Sequence, residues 1–315
     1  MKNDPVKLKA VFKDYIWGGE RLREEFNKKC DLERIAESWE LSAHKDGESI
    51  VLTRGGECGF VEYLSLIGKD ALGKNCEKYD YFPLLIKLID AKGDLSVQVH
   101  PSDEYALENE GEYGKTEMWY VLDCDAGAAL YYGFERDISR EEYESAIKED
   151  RLCEILRRVE VKKGDVFFIP SGTVHAIGSG ILICEVQQNS NTTYRVYDYG
   201  RRDKDGNLRP LHIEKALEVS ALERSPELPR VGDGEDELLC ECGYFSVRRR
   251  RFDGTGEIIA DKDSFVSLIV TEGQGRLKYG NGEIDFAKGD SIFIPAQVAA
   301  FSVEGVCEII DSRVK

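Results

Sequence analysis

The sequence has few histidines, fewer basic than acidic residues and no long apolar runs, and each of these removes a class of protein. No apolar run is long enough to cross a bilayer as a helix. No basic n-region followed by an apolar h-region is present, so a secretory signal is not expected. The nine cysteines are odd in number and include no Cys-x-x-Cys pair, which argues against a disulfide framework and a zinc ribbon. Most lie in apolar runs, as Cys184 and Cys307 do, and read as reduced, small hydrophobes of a cytoplasmic protein. Basic residues number 43 against 60 acidic ones, for a net charge of −17. Such a field repels nucleic acid and anionic membrane, so neither is an expected partner. An anionic substrate would need positive charge gathered at its site. Gly114-Lys115-Thr116 lacks the earlier glycine of a phosphate loop, since Asn109 stands there, and a strand-like run follows it. Only four histidines, at 44, 100, 175 and 212, are left as imidazole metal ligands.

What is present is mostly β in pattern. Residues 1–60 read as short strands and turns, with a helical stretch at 21–26 and period-two alternation at 37–42. Trp17 and Trp39 are expected in the core, and His44, in a Lys-Asp-Gly turn, at the surface. Residues 60–80 carry a helix-like pattern, and 82–89 form a strand apolar enough for burial on both faces. Residues 93–101 alternate: Leu95, Val97 and Val99 take one face, while Ser96, Gln98 and His100 take the other. Three polar side chains on one side of a strand suit the lining of a site. Residues 117–122 and 128–132 read as a strand pair. Residues 139–158 are helical, with Ser139 as cap and Glu142 completing a capping box, and another helix is expected at about 212–223. Residues 225–229 and the acidic turn 232–237 mark a linker. The run Arg248 to Arg251 reads as a solvated edge strand.

Residues 164–177 combine a turn at Gly164, a buried strand, a turn at Pro170-Ser-Gly172, and a strand starting at His175. Gly289-Asp290-Ser-Ile-Phe-Ile-Pro295 repeats the first half at the same spacing, but Gln297 and Ala300 stand where Gly172 and His175 stand in the first copy. The folding element recurs without its ligand. Gly-x5-Pro-x-Gly-x2-His resembles the second sequence motif of the cupins, small jelly-roll barrels that hold a metal in the barrel mouth. The resemblance implies a mainly β bicupin with small helical insertions at about 60–80 and 139–158. Residues 1–230 would form the catalytic, metal-binding cupin domain, and residues 231–315 a degenerate C-terminal cupin domain without metal ligands.

At cupin spacing, Gln98, His100, Glu117 and His175 form a candidate metal set. Two imidazoles, a carboxylate and an amide oxygen suit Zn2+ or another divalent ion such as Mn2+ or Fe2+. Taken singly, each has a bland reading as a core histidine, a rim glutamate or a surface glutamine. Lys115 lies two residues before Glu117, and Arg195, Arg201 and Arg202 follow the strand that leaves His175. Arginine forks suit phosphate oxygens; a solvated turn is the alternative.

Several stretches together resemble the type I phosphomannose isomerases, in particular their short bacterial and archaeal form. They are Trp17-Gly-Gly19, Glu37-Ser-Trp-Glu-Leu-Ser-Ala-His44, Ser96-Val-Gln98-Val-His100-Pro101, Gly114-Lys115-Thr-Glu117-Met-Trp, Gly172-Thr-Val-His175-Ala and Thr192-Thr-Tyr-Arg195-Val-Tyr-Asp-Tyr. The resemblance implies zinc ligands at Gln98, His100, Glu117 and His175, and an active-site arginine at Arg195. It places substrate-pocket positions at Ser96, Lys115 and Glu185, and a further basic position at Arg201. Asn191 departs from the family, which usually carries aspartate there. The implied reaction is the reversible isomerisation of mannose 6-phosphate and fructose 6-phosphate through an enediol. A metal-ligated histidine is a poor base, so Lys115 and Glu185 are the candidate proton shuttles. Two alternatives stay open: another cupin enzyme, such as a metal-dependent glucose-6-phosphate isomerase or an oxygenase, and a non-catalytic sugar-phosphate sensor. No oligomeric state is implied.

Overall fold

A computed structural model describes residues 3–315 except Arg54, Asp203, Lys204, Pro229, Arg230 and Asn281. Pro229 of the expected linker and Arg230 at the expected domain border therefore lie outside the described residues, while Asp236 and Glu237 of the expected acidic turn open the strand Asp236–Glu241. The architecture is mainly β, a bicupin with small helical insertions. The chain groups into two compact units. One comprises Met1–Lys13, Glu20–Leu88 and Arg230–Lys315; the other comprises Asp14–Gly19 and Ile89–Pro229.

In the first unit one antiparallel sheet runs Asp236–Glu241, Phe245–Ala260, Ala299–Val314, Val266–Tyr279, Ser291–Ile294, Val6–Lys9, Ile50–Thr53 and Gly56–Gly59. Gly282–Ala287 pairs onto Val266–Tyr279. The N-terminal strand thus lies on the second copy of the repeated motif, with Val6 opposite Phe293 and Leu8 opposite Ser291. Ile258, Leu268, Leu277, Phe286, Ile292 and Val303 fill an apolar interior there. Gly164 and Gly289, which open the two motif copies, share a φ of 92°, a left-handed backbone that glycine adopts at no steric cost. The helical insertion is the helix Phe60–Ile67 followed by two 3-10 turns, Lys69–Leu72 and Lys74–Cys76.

Two expectations are corrected in this unit. His44 is buried, not exposed: its ring stands edge-on to Trp39 with centroids 5.9 Å apart, and Nδ1 accepts a hydrogen bond from the Asp46 N–H at 3.1 Å. The arginine run lies on the interior strand Phe245–Ala260, and Asp236–Glu241 is the edge. Acid partners make that position tolerable: Arg248 Nε donates to Asp236 at 2.7 Å, Arg250 Nε to Asp311 at 3.0 Å and Arg251 Nε to Glu308 at 2.9 Å. Alternation along a strand reports two faces and does not tell an edge from an interior position.

In the second unit a five-stranded sheet runs Leu156–Glu160, Ala129–Phe134, His175–Ala176, Val97–Val99 and Tyr194–Tyr197. A second set places Glu117–Cys124 between Val166–Ile169 and Ile181–Gln188. The expected pairing of residues 117–122 with 128–132 therefore does not occur, because the two strands belong to different sheets. One face of the five-stranded sheet is closed by helices. Val97, Val99, Val174, Tyr194 and Val196 pack with Phe134, Tyr143, Leu152, Ala216 and Leu217 in one buried cluster. The helices are shorter than the sequence suggested: Arg140–Lys148, Leu152–Ile155 and Ile213–Val219. Residues 156–158 belong to a strand. Ser139 does cap, its Oγ accepting from the Glu142 N–H at 3.1 Å. With Val97 and Val99 committed to the helix side, the alternating side chains must face the barrel interior.

Candidate metal centre

Gln98 is the hub of that interior face, opposite His175 on one neighbouring strand and opposite Arg195 on the other. The Pro170–Gly172 turn delivers His175. Gly172 takes a φ of 87°, and its N–H donates to the His100 carbonyl at 2.8 Å, tying the turn to the end of the Val97–Val99 strand. Glu117 opens its own strand, opposite Ile169 and Gln187. The ligand atoms of His100, Glu117 and His175 converge within 4.8 Å of one another, and none of the three residues is more than 1% exposed. His175 Nε2 lies 3.4 Å from Glu117 Oε1, and His100 Nε2 lies 3.6 Å from Glu117 Oε2. The Gln98 amide reaches His175 Nε2 at 3.3 Å.

Both imidazoles are held in one tautomer. His100 Nδ1 lies 2.9 Å from the Thr192 carbonyl, and His175 Nδ1 lies 2.9 Å from the Thr173 carbonyl. A carbonyl only accepts, so each Nδ1 carries the proton and each Nε2 presents a lone pair to the shared space. Burial, with the Lys115 cation adding to it, pushes the His175 pKa down to about 4, so its ring is neutral near pH 7.

Lys115 Nζ donates to Glu117 Oε2, stands 3.2 Å from His100 Nε2 and lies 3.7 Å from Glu185 Oε1. A fixed loop holds it there. The Lys115 N–H donates to the Pro101 carbonyl at 3.1 Å, and the Thr116 N–H donates to Gln188 Oε1 at 2.8 Å. A Cβ on Gly114 would meet the Ser102 carbonyl carbon at 2.4 Å, so only glycine fits against that turn. Glu185 accepts from Trp119 Nε1 at 2.9 Å and sits opposite Trp119 in the strand register. These donors fit a divalent metal: an ammonium already sits against the carboxylate and one imidazole, and the donor chemistry is nitrogen and oxygen.

Ser96 is buried on the same alternating face. Arg195 is half-buried; its Nη1 donates to the Pro210 carbonyl at 2.9 Å, and its Nε is buried with no hydrogen-bond partner among the described residues. Arg201 binds Asp198 through Nε at 3.2 Å. Arg202 is exposed and donates instead to the Gly206 carbonyl at 2.7 Å. Sequence reasoning did not single out Asp198 or Arg209, and it counted His212 only among the four histidines. His212 Nδ1 accepts the Arg195 N–H at 3.1 Å. Asp198 stands within the Thr192–Tyr199 stretch; Arg209 carries no periodic signal, and His212 marks only the start of a helix.

The chain matches the family model for the catalytic domain of type I phosphomannose isomerase over residues 6–121, and that for the mannose-6-phosphate isomerase cupin domain over residues 236–314. It is 42% identical over 325 aligned residues to the mannose-6-phosphate isomerase ManA of Bacillus subtilis strain 168, with 99% of this chain and 100% of the relative covered. The chain belongs to the type I phosphomannose isomerase family. A crystal structure of the mannose 6-phosphate isomerase from Bacillus subtilis superposes with a TM-score of 0.90 at 38% identity, covering 98% of this chain and 99% of that one. A mannose 6-phosphate isomerase bound with zinc and yttrium shares the fold, with a TM-score of 0.79 over 99% of both chains at 16% identity. Among the described residues no disulfide joins any of the nine cysteines, and no helix is long and apolar enough to cross a membrane.

Proposed function

We propose that this chain interconverts mannose 6-phosphate and fructose 6-phosphate through an enediol, with one zinc ion held by Gln98, His100, Glu117 and His175. The observation that carries the reading is the buried convergence of His100, Glu117 and His175 in a chain of this family. Support for zinc comes from the zinc of a fold relative, and two imidazoles with a carboxylate and an amide oxygen are compatible with it. When bound, the metal would act as a Lewis acid toward the oxygens on C1 and C2 of the sugar.

The chain's own residues do the rest. The Thr173 and Thr192 carbonyls fix the ring orientations, so both Nε2 lone pairs are aimed before substrate arrives. A C–H next to a carbonyl is a weak acid, so its removal needs a positioned base and a stabilised oxyanion. Lys115 Nζ and Glu185 Oε1, 3.7 Å apart, form a buried pair that can take a proton from C2 and return it at C1. Arg195, cross-strand from Gln98, supports the charge that develops on the sugar oxygens. Arg201 holds the phosphate, and Ser96 lines the wall between the two ends. Asn191 stands where the family usually carries aspartate; if that carboxylate orients the sugar or the arginine, its replacement falls on rate or specificity. The nine thiols without disulfides suit a reducing compartment, and we assign the protein to the cytoplasm.

The test is turnover of mannose 6-phosphate, coupled to detection of fructose 6-phosphate, before and after chelation. Activity should vanish with the metal and return with zinc. A zinc-restored protein that binds the sugar phosphate without converting it would overturn the isomerase reading in favour of a sensor.

A further inference from the structure

The arginines beyond the Tyr194–Tyr197 strand are organised by a carboxylate that the mechanism above leaves unused. Asp198 is 5% exposed. Its Oδ2 accepts from Arg209 Nε at 2.6 Å and its Oδ1 from Arg201 Nε at 3.2 Å. The Nη2 atoms of both arginines also donate to Oδ1. Burial would raise the Asp198 pKa, but the hydrogen bonds from Arg209 and Arg201 reverse it and hold the group below the usual carboxylate range. One carboxylate therefore faces two guanidinium groups and cannot neutralise both. Arg195 lies in the same field. Burial lowers its pKa first, and repulsion from Arg209 and Arg201 adds to the effect against the pull of Asp198. In a chain of net charge −17, this is a local excess of positive charge.

Its position matters as much as its sign. Arg195 lies opposite Gln98 and Tyr197 opposite Val97, and Arg201 Nη1 donates to the Asp94 carbonyl. The chain beyond Tyr197 therefore runs beside residues 94–96, away from the metal ligands. At ~3.3 Å per strand residue, the step from Gln98 to Ser96 is roughly 7 Å. A hexose phosphate needs a separation of this order between its carbonyl end and its phosphate.

We propose that Asp198 is a positioning residue that locks Arg209 beside Arg201, making Arg209 a further anchor for the substrate phosphate. The assignment rests on the isomerase reading above. A buried carboxylate gripping both Nε atoms fixes the two planar forks, which then present their remaining N–H groups as a set to phosphate oxygens. A solvated ion-pair cluster would have no such consequence.

Inorganic phosphate is the probe, measured as a competitive inhibitor of the zinc-loaded full chain alongside the KM for mannose 6-phosphate. Arg209→Gln should raise both the KM and the phosphate inhibition constant at least tenfold, more than it lowers kcat, and Arg209→Lys should recover part of the loss. Asp198→Asn is the sharper variant. It adds a positive charge to the cluster, so electrostatics alone would tighten phosphate binding, whereas loss of positioning should weaken it at least fivefold while zinc content stays constant. Tighter phosphate in Asp198→Asn, or an unchanged KM and inhibition constant in Arg209→Gln, would overturn the proposal while wild-type turnover leaves the isomerase reading standing. A wild type that binds phosphate through Arg209 but never converts mannose 6-phosphate would sink the isomerase reading and leave the anion anchor supported.

Discussion

Acidification of the metal-free protein should cost stability through His175. The ring is fully buried, and burial together with the Lys115 cation sets its pKa at about 4 against an ordinary 6.5. The unfolded chain therefore binds more protons than the folded one between those two values, and stability must rise with pH across that window. The contribution is complete above pH 6.5 and is lost as pH falls toward 4. A gap of this size corresponds to roughly 3 kcal/mol, a large share of what a domain has to spare. Carboxylates elsewhere also titrate as pH falls, so the assay must isolate one ring. Urea unfolding of the chelated wild type and of chelated His175→Gln, at half-unit steps from pH 7.5 to 4.5, gives a difference curve in which other groups cancel. That difference should shift in favour of His175→Gln on acidification and flatten above pH 6.5. A difference curve without slope would mean that the imidazole keeps its ordinary pKa, and with it that the ring is not desolvated beside the Lys115 cation as inferred from its burial.

Other perturbations test separate parts of the molecule. Arg195→Ala should lower kcat/KM at least tenfold, the effect of an interaction worth more than ~1.4 kcal/mol; a near-unchanged value removes Arg195 from the site. Buried Glu40 accepts from Lys28 Nζ at 2.8 Å and from Ser38 Oγ at 2.6 Å, so Glu40→Gln, which leaves the Lys28 ammonium its bond to the Gly289 carbonyl but no counter-charge, should destabilise by about 3 kcal/mol in denaturant unfolding. Gly164 and Gly289 separate backbone strain from collision. Alanine at Gly164 meets nothing within 4 Å and should cost about 1–2 kcal/mol for its left-handed backbone. Alanine at Gly289 also meets the Phe26 carbonyl oxygen at 2.1 Å and should cost clearly more in the same unfolding measurement.

Much of the site was legible because it depends on local alternation. Ser96, Gln98 and His100 separate from Leu95, Val97 and Val99 by the two-residue period of a strand, and the structure places the valines against helices as that period requires. Lys115 and Glu117 were readable for the same reason, two residues apart. What stayed hidden depends on pairings between distant segments. Nothing in residues 6–8 announces that their partners are residues 291–293, and nothing in Glu117–Cys124 shows that Ala129–Phe134 belongs to another sheet. His44 reads as exposed because its turn is polar; the ring of Trp39, on the preceding strand, covers it, which a turn motif does not encode. Arg209 had no periodic context, and only the fold brings it onto Asp198.

The two motif copies show what a buried barrel demands when its ligands change. Ile169 and Ile294 hold the same offset from Gly164 and Gly289; Glu117 lies opposite the first and Val266 opposite the second. Moving along the same strands, Trp119 faces Glu185, while Leu268 faces Asp311. The second copy thus keeps a carboxylate at the place of Glu185 but has lost both Glu117 and His175, the latter to Ala300. A buried carboxylate must be compensated, and here the chain supplies the cation itself, through Arg250 Nε and Arg313 Nε, each 3.0 Å from Asp311. The first copy carries more: two carboxylates and two aimed imidazoles around a single lysine. That surplus of donors over fixed cations is the arrangement expected of a barrel meant to take its remaining positive charge from a metal. The same requirement explains why an arginine run, misread as a solvated edge, belongs inside the sheet.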